Sequence, residues 1–307
     1  MARNYILQLQ AILRTGPLTQ EALAKRLGVT FAALSRWLHG QATPRPRHVE
    51  AIRRLHQELV GFPSFDDDQV LQLVRRAEAL RQPDIRRLLT KHQPLQDELL
   101  LEHTYNSTSI EGTTLSRRET EVVIFDRGTV PEKSLVEHLE VTNYATVLRD
   151  VLLGRYREPI AEELIRTLHR HLLQGIHPEA GQYSKHHRVI RGVEIALTHP
   201  KDIPEEVGEL LAAWGGKPVK KTLREIASFH VQFELIHPFG DGNGRLGRIL
   251  MALQCLERGY PPIVIETARK ADYYETLEYA QKRSIGPFLA FLVEELERTR
   301  RLVRKYR

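Results

Sequence analysis

Between residues 222 and 258, two helix-forming runs are joined by a stretch that no helix can cross. Thr222 and Glu225 have the spacing of a reciprocal capping box, so a helix is expected over Leu223–Glu234. The run Leu235-Ile236-His237-Pro238-Phe239-Gly240-Asp241-Gly242-Asn243-Gly244 then stops it. A second helix is expected from Arg245 to Arg258, with Leu246, Ile249, Leu250, Leu253 and Leu256 on its apolar face. A plain link between two helices needs one glycine, whereas four (Gly240, Gly242, Gly244 and Gly247) lie between His237 and Arg248, with Arg245 among them. Glycines ahead of a helix let backbone N–H groups turn toward an anion, and the helix N-terminus adds partial positive charge. Arginines fork onto phosphate oxygens, and Asp241 is a hard oxygen ligand of the kind Mg²⁺ takes when it bridges phosphates. His237 can accept a proton from an attacking hydroxyl. Together these residues read as a phosphate site.

The same residues resemble the signature of the Fic (Fido-fold) family: His-Pro-Phe, a variable residue, an acid, Gly-Asn-Gly-Arg, two variable residues and Arg. Every fixed position is filled between His237 and Arg248. The resemblance extends over roughly residues 95–295. It implies a mainly α fold: a Fic helical core with a short β-hairpin flap, preceded here by a further domain. It also implies a protein adenylyltransferase that moves AMP from ATP, with Mg²⁺ or Mn²⁺, to a Ser, Thr or Tyr hydroxyl of a target protein. By that resemblance His237 is the base and Asp241 holds the metal. Gly242, Asn243, Gly244, Arg245 and Arg248 hold the phosphates, Arg248 taking the γ-phosphate.

The basic charge is local. Residues 1–60 hold nine Lys/Arg against three Asp/Glu, and the whole chain 45 against 39, so the remainder balances at 36 each. That places an anionic partner at the N-terminal segment. Ile6, Leu9 and Leu13 stripe a first helix there, and Thr19 caps a second that ends at Gly28. Thr30 caps a third over Phe31–His39, and Ile52, Leu55 and Leu59 stripe a fourth. The wording from Thr19 to Gly40 resembles the repressor-like (Xre/Cro-type) helix-turn-helix family. The resemblance implies that Thr30, Phe31, Ala33 and Arg36 face the DNA groove and that Lys25, Arg45 and Arg47 contact phosphates. The other reading of residues 1–60 is a helical module that dimerises or docks. Phe31 and Trp37 fit a core as well as a base contact. A single such module binds DNA weakly, so DNA binding also implies self-association into a homodimer.

Residues 61–94, with Gly61, Pro63, the acidic run Asp66-Asp67-Asp68, Pro83 and Pro94, read as a helical connector. The third domain is then 95–307. Its early part holds Ser107, three residues, Glu111 and Gly112, which by themselves make a helix end with a glycine cap. Beside the Fic resemblance they match the family's N-terminal inhibitory motif. A carboxylate reaching Arg248 would pair with it and fill the space a γ-phosphate needs. The resemblance equally allows Glu111 to align a water for removal of AMP.

Further helices are expected over Val136–Leu153, Pro159–Gln174 and Pro204–Trp214, and after the signature over Ala271–Arg283 and Pro287–Lys305. Val189-Ile190 and Val193-Glu194-Ile195 flank Arg191-Gly192, which reads as a β-hairpin. The resemblance makes Val189, Ile190, Arg191, Gly192 and Val193 the flap that holds the target segment by strand addition. Ser184 departs from the arginine the family often carries after Gly-Gln-Tyr. Tyr273 and Tyr274 fit either a nucleotide base or the core. His186-His187 are adjacent on an extended segment and point to opposite faces, which disfavours a metal site. One buried-type cysteine, Cys255, and no signal peptide or membrane-spanning run place the chain in the cytoplasm, away from membranes. From a different class stands a transcriptional regulator whose Fic part senses nucleotide or is silent.

Overall fold

A computed structural model describes residues 4–15, 18–62, 65–188, 196–215 and 221–306. Among these residues there are fifteen α-helices and no strand. The hairpin expected at residues 189–195 lies outside the described residues. The chain divides into two compact units, residues 1–64 and 65–307.

The first unit holds α1 (Asn4–Thr15), α2 (Gln20–Arg26), α3 (Phe31–Leu38) and α4 (Pro46–Leu59). Thr19 and Thr30 cap α2 and α3, their hydroxyls accepting from Ala22 N and Ala33 N at 3.2 Å. Each such cap contributes about 1 kcal/mol. Leu9, Ile12, Leu23, Leu34, Trp37, Ile52 and Leu55 form the core. The buried face of α1 is Tyr5, Leu9 and Ile12, one step round from the expected Ile6, Leu9 and Leu13; Tyr5 also donates to Ala42 O at 3.1 Å.

The second unit begins with α5 (Asp67–Glu78) and α6 (Ile85–Lys91). The acidic run starts α5 because Asp66 and Gln69 form a capping box. Val70, Ala77, Ile85 and Leu89 join the main core of this unit. There follow α7 (Gln93–Glu111), α8 (Arg117–Glu121) with a π-helical turn after it, α9 (Leu135–Leu152), α10 (Glu162–Leu172) and α11 (Ile203–Gly215). Helix α10 starts three residues after Pro159, with Ala161 at its N-cap, so Pro159 is not in its first turn. The last four are α12 (Leu223–Ile236), α13 (Asn243–Glu257), α14 (Lys270–Lys282) and α15 (Gly286–Arg304).

Helix α13 is the centre of the second unit. It packs on α7, α9, α10 and α12, and it is buried on every side from Arg245 to Leu256. The single apolar face expected for it is therefore too narrow a description. Each fully buried Leu or Ile there contributes about 1.5–3 kcal/mol. Arg245 and Arg248 are buried among them, which is tolerable only where both guanidinium groups are paired. Among the described residues no helix is long and apolar enough to cross a membrane.

Candidate nucleotide and transfer site

The site is built where α12 ends and α13 begins. His237 closes α12 in the left-handed region (φ 49°), its N–H donating to Phe233 O at 2.9 Å. Phe239 then turns inward and stacks on His169 of α10, ring centroids 3.7 Å apart. The loop is tied to itself through Asn243, whose Oδ1 accepts from Phe239 N at 2.9 Å and whose Nδ2 donates to Phe239 O at 2.8 Å. His169 joins it to the segment before residue 189: one ring nitrogen accepts from Gly181 N at 2.8 Å and the other lies 2.9 Å from Asp241 O. Ser184 completes that join, its buried N–H donating to Pro238 O at 2.9 Å.

Gly242, with φ 78°, is the N-cap of α13, and Leu246 N is the first to bond back, to Gly242 O at 2.9 Å. The N–H groups of residues 243–245 thus have no intrahelical acceptor and face the helix N-terminus. A carboxylate lies at that end. Glu111 comes so close that a Cβ at residue 244 would sit 2.5 Å from its Oε1, so a side chain there would displace the carboxylate. Glu111 Oε1 also accepts from Arg248 NH2 at 2.6 Å. Arg248 is fixed from the same helix, its Nε donating to Ser107 Oγ at 2.7 Å and NH2 to Ser107 O at 3.1 Å. Its NH1 is buried without a hydrogen-bond partner. Burial pulls the Arg248 guanidinium down, but Glu111 leads the groups that carry it well above its ordinary value.

A cavity of about 230 Å³ opens here, lined by Glu111, Glu234, His237, Gly244, Arg248 and Tyr273 among others. Tyr274 lines it too, while Tyr273 is buried and shares a hydrogen bond of 2.8 Å with His230. The site therefore contains a base, a buried cation with a free donor, and helix N–H groups. Burial lowers the His237 imidazole to about 4, with Arg188 adding to the effect, so the ring is neutral near pH 7. Asp241 is ionised: burial raises its carboxyl, but Arg245 and the Gly242 N–H outweigh that and hold it below its ordinary value.

Arg245 is bonded to two carboxylates. Its NH1 donates to Glu140 Oε1 at 2.6 Å and its NH2 to both Asp241 oxygens at 3.0 Å. The side chains of Asn243 and Arg245 are thus engaged within the protein, and what Asn243 offers an anion is its backbone. Among the described residues no group of three or more His, Cys, Asp or Glu could hold a metal alone. Asp241, with its side chain 52% exposed, fits a cation shared with phosphates, since Mg²⁺ is commonly held by one or two carboxylates plus phosphate oxygens.

Sequence reasoning did not reach Glu234 or Glu140. Burial raises the Glu234 carboxyl to about 8, and its Oε2 lies 3.9 Å from His237 Nδ1. Its signal was the spacing of His230, Glu234 and His237 along an otherwise apolar helix. Glu140 had none. In the first unit, Phe31 is 50% exposed, Thr30 and Arg36 are exposed, and Ala33 is partly buried. Trp37 is core. The five residues expected to form the flap lie outside the described residues.

The N-terminal turn of α13, a buried arginine and a neutral histidine thus line one cavity. Residues 159–255 match the model of the Fic/DOC family, and residues 18–57 match a helix-turn-helix model. The chain carries a Fic/DOC family domain with a helix-turn-helix domain N-terminal to it. It is similar to "Protein adenylyltransferase Fic" of Nematostella vectensis, 32% identical over 212 residues, 66% of this chain and 48% of that protein. It is also similar to "Protein adenylyltransferase fic-1" of Caenorhabditis elegans, 28% identical over 283 residues, covering 80% and 54%. The chain spans about half the length of the curated relatives it matches. In fold it is similar to the structure of Fic-1 from C. elegans, with TM-score 0.66 and 21% identity, covering 99% of this chain and 93% of that one. The same holds for a Fic-domain signaling protein from Bacteroides thetaiotaomicron, with TM-score 0.61 and 24% identity over 78% and 98%.

Proposed function

We infer that the second unit transfers AMP from ATP to a hydroxyl of a target protein, and that Glu111 restrains it. The observation that carries this reading is Arg248. Its guanidinium is buried at the end of the cavity shared with His237, one arm is held by Glu111 at 2.6 Å, and NH1 is buried with no partner. An arginine in that state has donors in excess of its acceptors, which a phosphate supplies.

In the transfer, phosphates lie over the N-terminus of α13, on the N–H groups of residues 243–245 and the open backbone at Gly242 and Gly244. Arg248 NH1 takes the γ-phosphate, for which Glu111 must leave. Asp241 holds the divalent cation, which supplies neutralisation of phosphate charge when bound. Arg245 holds Asp241 in place. His237 takes the proton of a Ser, Thr or Tyr hydroxyl presented by residues 189–193. That oxygen attacks the α-phosphorus, its bond to the pyrophosphate oxygen breaks, pyrophosphate leaves and the target keeps AMP. Labelled-ATP self-modification of Glu111→Gly against the parent tests the reading. Labelling is expected to rise at least tenfold, about 1.4 kcal/mol of released restraint. No gain would remove the inhibitory role of Glu111.

A second activity, DNA binding by residues 1–60, is favoured by the exposure of Lys25, Arg36, Arg45 and Arg47 around α3 and α4. With Lys25, Arg45 and Arg47 of both copies of a homodimer on phosphates, a gel shift on the chain's own upstream DNA should weaken with salt at a log–log slope of about −5. Retention that ignores salt would count against it.

A further inference from the structure

The charge of Arg245 is answered twice, and the second answer leads out of the site. Its side chain, 4% exposed, meets Asp241 from its own loop and Glu140 from the second turn of α9. The other oxygen of Glu140, Oε2, accepts from Thr113 Oγ1 at 3.0 Å. Thr113 follows Gly112, the left-handed residue (φ 118°) that closes α7, and stands two residues from Glu111. One carboxylate therefore touches both the signature arginine and the exit of the segment that carries Glu111. Glu140 and Thr113 both lie outside residues 159–255, the part that matches the family model.

The neighbouring strap makes a contrast. Thr114 donates through N and Oγ1 to Glu137 Oε1 at 2.8 and 2.7 Å, and Lys133 Nζ donates to Thr114 O at 2.9 Å. These bonds hold the same segment beside α9, one turn before Glu140, but among the described residues neither Glu137 nor Lys133 has a hydrogen bond or ion pair to a residue of the site. Thr113–Glu140 does so through Arg245.

We propose that Glu140 is a positioning residue whose two oxygens couple the anion loop to the seating of Glu111, one fixing Arg245 and the other latching Thr113. The proposal rests on the reading of Glu111 as the restraint. Its physical content is asymmetric. When the last turn of α7 moves away, the Thr113 bond opens, yet Glu140 keeps its hold on Arg245, so the loop is already formed for the incoming phosphates. Losing Glu140 itself would leave Arg245 buried against a single, half-exposed carboxylate.

The test uses the full chain and reads labelling by ATP together with the KM for ATP-Mg. Thr113→Val keeps the shape and removes the hydroxyl. Labelling should rise roughly tenfold, the value of one hydrogen bond to a charged acceptor. Thr113→Ser, which keeps the hydroxyl, should stay with the parent. In a Glu111→Gly background Thr113→Val should add nothing, because no carboxylate remains to be released. In that same background Glu140→Gln should raise the KM for ATP-Mg by roughly tenfold, through loss of one charged hydrogen bond on Arg245. A gain from Glu111→Gly without one from Thr113→Val overturns the latch while leaving the restraint intact. No gain from either sinks both. An unchanged KM in the Glu140→Gln double variant overturns the hold on Arg245. Should that variant melt before assay, the Thr113 pair and its dependence on Glu111 decide the matter.

Discussion

His237 occupies a backbone conformation that costs a non-glycine residue about 1–3 kcal/mol, and such strain persists only where the surroundings impose it. Here α12 ends on His237 while Pro238 and the inward turn of Phe239 begin the loop, and the ring is brought to the cavity wall. The side chain is 21% exposed, enough to meet a hydroxyl, yet burial lowers it to about 4. A neutral imidazole is the form that accepts a proton, and the lowered value keeps it in that form across the whole neutral range. For Glu111→Gly, kcat/KM for ATP should therefore hold level from pH 7.5 to pH 6, where a histidine at its ordinary value of about 6.5 would already have lost most of its base form. A fall centred near 6.5 would mean that the base is not sheltered. His237→Ala should lose about 10²–10⁴-fold in transfer and still bind ATP, since the phosphate contacts lie on α13 and Arg248. Unchanged transfer would remove the base assignment.

At the scale of elements, α7 and α13 make the site by the way they meet. The close of α7 was legible in sequence from the Gly112 cap, but its course through Tyr105, Asn106, Ser107, Thr108 and Ser109 was not, because these residues have no apolar period. The helix continues to Glu111 because those polar residues are satisfied inside the fold. Thr108 Oγ1 donates to Thr104 O at 2.9 Å, and Asn106 accepts from Thr267 N at 2.8 Å while donating to Glu102 O at 2.8 Å. Caps were the readable part: Thr222 with Glu225 forms the reciprocal box its spacing implied, and Thr19 and Thr30 cap α2 and α3 as expected. Contacts between distant residues were not. Arg245 and Glu140 are 105 residues apart, and nothing local in either segment points to the other. Glu111 and Arg248, 137 apart, were linked through resemblance rather than through any pattern in the chain. The junction itself rests on Ser107, which receives two Arg248 donors. Ser107→Ala should leave a guanidinium N–H buried and unmatched and cost about 1–3 kcal/mol, read as a lower urea midpoint. An unchanged midpoint would show that Glu111 and the carbonyl of residue 107 hold Arg248 without the hydroxyl.

The second unit as a whole carries an acid sensitivity set by groups that are buried in their neutral forms. Burial lowers His103 and His230 to about 3 and His169 and His237 to about 4. As pH falls below about 6.5, the unfolded chain takes up a proton on each of these four histidines that the fold refuses, so stability is lost in that direction. Glu234 acts with the opposite sign. Raised by burial to about 8, it holds a proton in the fold that the unfolded chain releases above its ordinary value of 4.5. Its contribution is full below 4.5 and is lost as pH rises through 8. Above about pH 7 Glu234 outweighs the four histidines, and the slope approaches about 1.4 kcal/mol per pH unit downward toward pH 8. Below 6.5 four histidines oppose one glutamate, and the loss approaches about 4 kcal/mol per unit as they titrate. The loss accumulated between pH 7 and pH 4, about 9 kcal/mol, is of the size of a whole domain's stability of about 5–15 kcal/mol. Urea midpoints of the full chain should accordingly peak near pH 7 and fall steeply by pH 5, and Glu234→Gln should flatten the limb between 7 and 8 and steepen the acid one to about 5 kcal/mol per unit. Transfer activity should then end on the acid side by cooperative unfolding, with circular dichroism and labelling lost together. Labelling lost while the helical signal persists would instead assign the acid limit to protonation of the base.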